Sequence, residues 1–144
     1  AAVAPVPEEV VPSEPVVGKG HHVMYVDDDQ ALVFLIARVL KRKGFTVTTF
    51  TDPQEAHEAL RANADAYDIL VTDYNMPGYS GIDLLRDAKL IRPDLPVALA
   101  SGYVTPELEQ SAIREGASAL IYKPNDVSEF CETVQRLIAG GDAT

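Results

Sequence analysis

The chain is short of positive charge, has almost no cysteine and contains no long apolar run, and each shortage closes off a class of function. Lys and Arg together number 12 against 22 Asp and Glu, a formal charge of −10 over 144 residues. Phosphate contacts need clustered cations, so this segment is not expected to bind nucleic acid or an anionic membrane. The single cysteine, Cys131, cannot build an internal disulfide framework and suits a reducing compartment. No apolar stretch approaches the roughly 20 residues that cross a bilayer. The first residues also lack the basic start and continuous apolar centre of a secretory signal. The expected location is cytoplasmic, with a membrane anchor on a longer parent chain left open.

What is present is enough for one ordinary domain. An apolar fraction of 47% over 144 residues can bury a core without staples. Residues 1–20 hold four of the ten prolines, with repeated Val and Glu and no helical or alternating period. That segment reads as an extended Pro-rich linker or a disordered leader. A linker implies another domain upstream, and a start at Ala rather than Met suggests processing or a piece of a longer protein. The folded unit is expected over 21–140, with 141–144 as a tail.

From residue 22 the chain alternates between short apolar runs and stretches of helical spacing. The runs predict strands over 22–26, 45–50, 67–72, 96–100 and 118–122. Leu32, Leu35, Ile36, Val39 and Leu40 mark a first apolar helix face that stops at Gly44. Asp52-Pro53-Gln54-Glu55 opens a second helix, with Pro at its first position and Glu where a capping box wants it. Ser80 and Thr105-Pro106 look like further starts and Gly116 like a stop. Val127, Phe130, Val134, Leu137 and Ile138 form the last face, behind a capping box of Asp126 and Glu129. Five strands each followed by a helix predict a parallel sheet covered on both faces. The runs at 67–72 and 96–100 are apolar enough for its centre, whereas 45–50 alternates with threonines as an edge strand does. Right-handed crossovers favour the order 2-1-3-4-5, with a crevice outside the carboxyl ends of the strands. The fold class is thus α/β: a flavodoxin-like (βα)5 three-layer sandwich around a parallel five-stranded sheet.

Four of these runs end in groups that handle phosphate or metal. The first passes into Asp27-Asp28-Asp29, the third into Asp73, the fourth into Ser101 and the fifth into Lys123-Pro124. Carboxylates without His or Cys partners suit a hard cation, and magnesium commonly bridges one or two carboxylates to a phosphate. A divalent cation also offsets the repulsion of clustered carboxylates. Lys123 is a point charge for a phosphoryl oxygen and Ser101 a hydrogen-bond donor to another. Asp73, alone on the middle strand, is the candidate nucleophile, because carboxylates form aspartyl-phosphate intermediates.

In this order and spacing, residues 22–139 resemble a receiver domain of the bacterial two-component response-regulator family. The resemblance assigns Asp27 and Asp28 to the acidic pair, Asp73 to the phosphoacceptor, Ser101 to the hydroxyl and Lys123 to the lysine. It makes Asn75 the residue whose backbone carbonyl completes an Mg2+ site with Asp27, Asp28 and Asp73. It implies transfer of a phosphoryl group from a phosphohistidine, on a histidine kinase or histidine phosphotransfer domain, followed by slow hydrolysis or relay. Any enzymatic activity would be weak self-phosphorylation and dephosphorylation. The family usually carries an aromatic residue where this chain has Leu120, which puts its usual rotamer switch in doubt. Tyr103 and Asn75 occupy places that in the family tune the lifetime of the acyl phosphate. The wording of 101–107 and 122–125 is most similar to receivers fused to the C-terminus of hybrid sensor histidine kinases.

Plainer roles compete at several positions. Asp29 suits a helix N-cap better than a third metal ligand. His21 and His22 lack any matching ligand spacing, and His57-Glu58 fits a solvated helix face. Tyr67 and Tyr74 flank the expected site as ordinary strand and loop residues. Two other functions share parts of the pattern. A phosphatase of haloacid dehalogenase type also uses an Asp nucleophile on a parallel sheet, but its Asp-x-Asp-x-Thr or Val motif would fall on Asp27, Asp29 and Ala31, and it needs an acidic pair where Ser101-Gly102 stands. A receiver-like module that binds partners without phosphorylation is the other.

Overall fold

A computed structural model describes residues 20–76, 78–102, 105–122 and 127–139 of the chain. Its elements alternate as expected: β1 (His22–Val26), α1 (Gln30–Arg42), β2 (Thr46–Phe50), α2 (Pro53–Asn63), β3 (Ile69–Asp73), α3 (Gly81–Ile91), β4 (Val97–Ser101), α4 (Pro106–Glu115), β5 (Ala119–Tyr122) and α5 (Val127–Ile138). A 3-10 turn, Ala64–Ala66, links α2 to β3. The five strands pair in parallel in the order β2-β1-β3-β4-β5. β3 and β4 are buried along their whole length, while β2 is an edge strand with no fully buried residue.

Side chains alternate across a strand, so each strand feeds two cores. Val23, Tyr25, Ile69, Val71, Ala98, Ala100 and Ile121 pack beneath α1 and α5. Met24, Val26, Leu70, Val97 and Leu99 pack beneath α2, α3 and α4. The result is a three-layer flavodoxin-like sandwich. Phe130, Val134 and Leu137 form the buried face of α5, as their spacing predicts. One expected core position is corrected. Leu35 is half exposed, and Val33 joins Ile36 and Leu40 on the inner face of α1. Val33 lies three residues before Ile36 and seven before Leu40, so the three share a stripe that Leu35 misses.

The helix boundaries follow local chemistry. Asp29 caps α1 by accepting from the N–H groups of Ala31 and Leu32 (3.1 and 3.2 Å). Asp52 caps α2 through Gln54 N–H, with Pro53 at the first position. The reciprocal capping box seen here is at α3, between Ser80 and Asp83. Thr105 caps α4, and Gly116 ends it at φ 103°, a left-handed conformation that favours glycine. Strands β3 and β4 each run one residue further than the apolar runs suggest, so Asp73 and Ser101 are themselves strand residues. β3 also starts two residues later than expected, and Asp68 just before it meets His22 twice, accepting from its N–H through the carboxylate (2.7 Å) and donating its own N–H to the His22 carbonyl (2.8 Å). The leader (but for Gly20), the 141–144 tail and the Asp126 half of the expected α5 cap lie outside the described residues.

Candidate functional site

Parallel pairing brings the carboxyl ends of the strands to one edge. Val26 pairs with Thr72, so Asp27, one residue on, stands level with Asp73 on the neighbouring strand. Asp73 in turn pairs with Ala100, one residue before Ser101, and Ser101 pairs with Tyr122. Asp27, Asp73 and Ser101 are all buried, at 1%, 4% and 3% exposure, whereas Asp28 is exposed. One carboxylate oxygen from each of Asp27, Asp28 and Asp73 lies within 4.8 Å of the others. Three acidic side chains meet at the sheet edge.

The local backbone aims these groups. Asp27 leaves β1 just where the chain turns into α1, and its Oδ1 accepts from Asp29 N–H (3.0 Å). Its Oδ2 accepts from the Tyr25 hydroxyl (3.0 Å), a contact buried in the core. Burial, with Asp27 next and Asp73 contributing, pushes the Tyr25 phenol far above its ordinary value, so it keeps its proton as a donor. Asp73 is held from behind by α3. Gly81 donates its N–H to Tyr74 carbonyl (3.0 Å), and a Cβ on Gly81 would sit 2.4 Å from the Asp73 carbonyl oxygen. Only glycine lets the start of α3 lie against the end of β3 this closely.

The donor set fits a hard divalent cation: three carboxylates, oxygen only, one of them open to solvent. Asp29, occupied as a cap, is not in the group. Asn75 lies exposed in the loop two residues beyond Asp73. Lys123 and Tyr103 lie outside the described residues. Leu120 packs on the α2, α3 and α4 side of the sheet, and Tyr122 is exposed at the end of β5.

Several other expectations resolve into packing. Tyr67 does not flank the carboxylates. It lies before β3, at the opposite edge of the sheet, with its ring 4.6 Å from that of His22. His22 is spent on the fold: Nδ1 donates to Ala66 carbonyl (2.8 Å), which leaves Nε2 to meet Thr48 hydroxyl (2.7 Å). His57 is not a purely solvated residue, because its Nδ1 is 3.8 Å from an Asp87 carboxylate that also accepts from the Tyr79 hydroxyl. That bond, after burial, holds the Tyr79 phenol well above its usual range. Tyr25 is the contributor to the site that sequence reasoning missed. A usable signal existed, since a phenol in a buried strand needs a partner and Asp27, two residues on, shares its face.

Comparison with known proteins agrees with this geometry. Residues 23–135 match the family model described as response regulator receiver domain. Over 117 residues the chain is 35% identical to the DNA-binding transcriptional regulator NtrC of Escherichia coli, covering 81% of this chain and 24% of that protein. It is 32% identical over 119 residues to the two-component response regulator ARR10 of Arabidopsis thaliana, covering 83% of this chain and 21% of the relative. The chain thus spans about a quarter or less of these two relatives. A receiver domain structure from Clostridium thermocellum superposes with a TM-score of 0.78 at 26% identity, over 83% of this chain and 94% of that one.

Proposed function

The chain belongs to the response regulator receiver domain family, and on that premise we propose that it takes a phosphoryl group from a phosphohistidine onto Asp73. The observation that carries this reading is the convergence of Asp27, Asp28 and Asp73 at the carboxyl edge of the sheet. Asp73 attacks phosphorus through a carboxylate oxygen, forming an acyl phosphate as the P–N bond breaks and the ring nitrogen leaves with its electron pair. Asp27 and Asp28, with Asp73 and the Asn75 carbonyl, would hold Mg2+. When bound, the ion neutralises charge on the phosphoryl oxygens. Ser101 donates to one such oxygen and Lys123, the residue after β5, pairs with another. Slow hydrolysis or relay to a second histidine then clears Asp73. The partner in either direction is a histidine kinase or a histidine phosphotransfer domain in the cytoplasm.

The parent protein is a second question. The wording of 101–107 and 122–125 supports a hybrid sensor histidine kinase, whereas NtrC and ARR10 are themselves regulators. Autophosphorylation of the full-length parent protein by ATP would decide for the kinase.

Incubation with a small acyl-phosphate donor and Mg2+, read by intact mass, tests the function. One added phosphoryl group on the wild type and none on Asp73→Asn is the expected result. No adduct on a folded wild-type chain would leave a binding module without phosphorylation. Rapid multiple turnover of a chromogenic phosphate ester would instead point to a phosphatase.

A further inference from the structure

Tyr25 sits in the core of β1, 1% exposed, two residues before Asp27 and on the same face of the strand. Apolar side chains fill the neighbouring positions on that face: Val23 on the same strand, Val71 beside it on β3, and Phe130 from α5. The Tyr25 ring meets Phe130 edge to face, with centroids 6.1 Å apart at 88°. A purely apolar ring would satisfy this packing. The hydroxyl does something further, because it donates to Asp27 Oδ2 at 3.0 Å inside the core. Asp29 N–H takes the other oxygen, Oδ1, at 3.0 Å. The Asp27 carboxylate is therefore gripped at both oxygens from the protein side, one donor from the core and one from the turn into α1.

We infer that Tyr25 is a positioning residue for the cation site: its hydroxyl, anchored by Phe130, fixes the plane of the Asp27 carboxylate so that it faces Asp28 and Asp73. This rests on the reading of that acidic group as an Mg2+ site. Outer partners that orient a ligand typically change metal affinity by about 10- to 100-fold when removed. A carboxylate loosely held at one oxygen must be reoriented each time the ion binds. Held at both, it is already in place.

Tyr25→Phe removes the hydroxyl and keeps the ring against Phe130. Mg2+ titrated into the full chain, followed by amide NMR shifts of residues 27–29 and 73–75, reads the site without any phosphoryl donor. The expected result is a Kd raised about tenfold in Tyr25→Phe. Val134→Ala, a core change in α5 away from the hydroxyl, should lower the melting temperature and leave the Kd where it was. An equal or lower Kd in Tyr25→Phe, with Mg2+ binding intact in the wild type, overturns the inference alone. A wild-type chain that takes up no Mg2+ overturns the metal reading and this one with it. Should Tyr25→Phe fail to fold, the oxygen-bearing ring carbon of 13C-labelled Tyr25 in the wild type decides. It should move along the same saturation curve as the amides, and a stationary signal refutes the coupling.

Discussion

Gly81 shows how one missing methyl group positions the proposed phosphoacceptor. Its Cα packs on the backbone of Asp73 and Tyr74, and the atoms an added Cβ would strike, at 2.4–3.0 Å, all belong to the main chain. Main chain cannot rotate away as a side chain can. Gly81→Ala should therefore push α3 off the end of β3, costing about 1–3 kcal/mol as overpacking does. Urea denaturation measures the loss, and the rate of phosphoryl uptake should fall with it because Asp73 moves. Tyr25 gives a prediction in pH. Its phenol is raised above the ordinary 10.0 in the folded chain, first by burial and then by Asp27. The unfolded chain releases that proton near pH 10 while the folded chain retains it. The stability involved is complete below about pH 10 and is lost as pH rises further. Urea midpoints between pH 8.5 and 11 should drop more steeply for the wild type than for Tyr25→Phe, and equal slopes would contradict the assignment.

Among the elements, α3 and α4 depend most visibly on their ends. Ser80 Oγ accepts from Asp83 N–H at 3.3 Å while Asp83 Oδ2 accepts from Ser80 N–H at 3.0 Å. Ser80→Ala removes half of this box and should cost about 1 kcal/mol. At the far end of α4, a Cβ on Gly116 would meet only the Lys89 side chain at 3.4 Å or more, so space is not the obstacle. The obstacle is φ 103°. Gly116→Ala should destabilise by about 1 kcal/mol through that backbone conformation alone. Thermal melts of the two variants check both figures. Arg92 serves as a further tie. Its guanidinium donates to the carbonyls of Ala64 and Tyr67 at 3.0 and 2.6 Å, joining the end of α3 to the turn before β3.

Over the whole molecule, charge and fold meet at the sheet edge. A chain of net charge −10 places three carboxylates within 4.8 Å of one another, two of them buried. A cation that binds only the folded form stabilises it by mass action, by about 2.7 kcal/mol when present at about 100 times its Kd. Millimolar Mg2+ should raise the melting temperature of the wild type, and Asp28→Asn should lose that increase. A shift that survives in Asp28→Asn would mean the ion acts elsewhere. The sheet order and the two-sided core were legible beforehand because burial leaves a period in the sequence: continuous apolar runs at β3 and β4, threonine alternation at β2, three- and four-residue steps in the helices. Strand ends were less legible. Asp73 and Ser101 continue the ladder although they are polar, since neighbouring strands offer them backbone partners that no apolar count records.

The sequence by itself determined the order of strands and helices, the caps at Asp29, Asp52, Ser80 and Thr105, and the oxygen-only character of the acidic group. These depend on local backbone chemistry and on the solvent preference of each side chain. Only the tertiary structure decided that His57 turns toward Asp87 and that the start of α3 rests on Asp73. Each of those depends on the spacing between elements and on where the far end of a side chain comes to rest. Periodicity along one strand or helix does not contain that information.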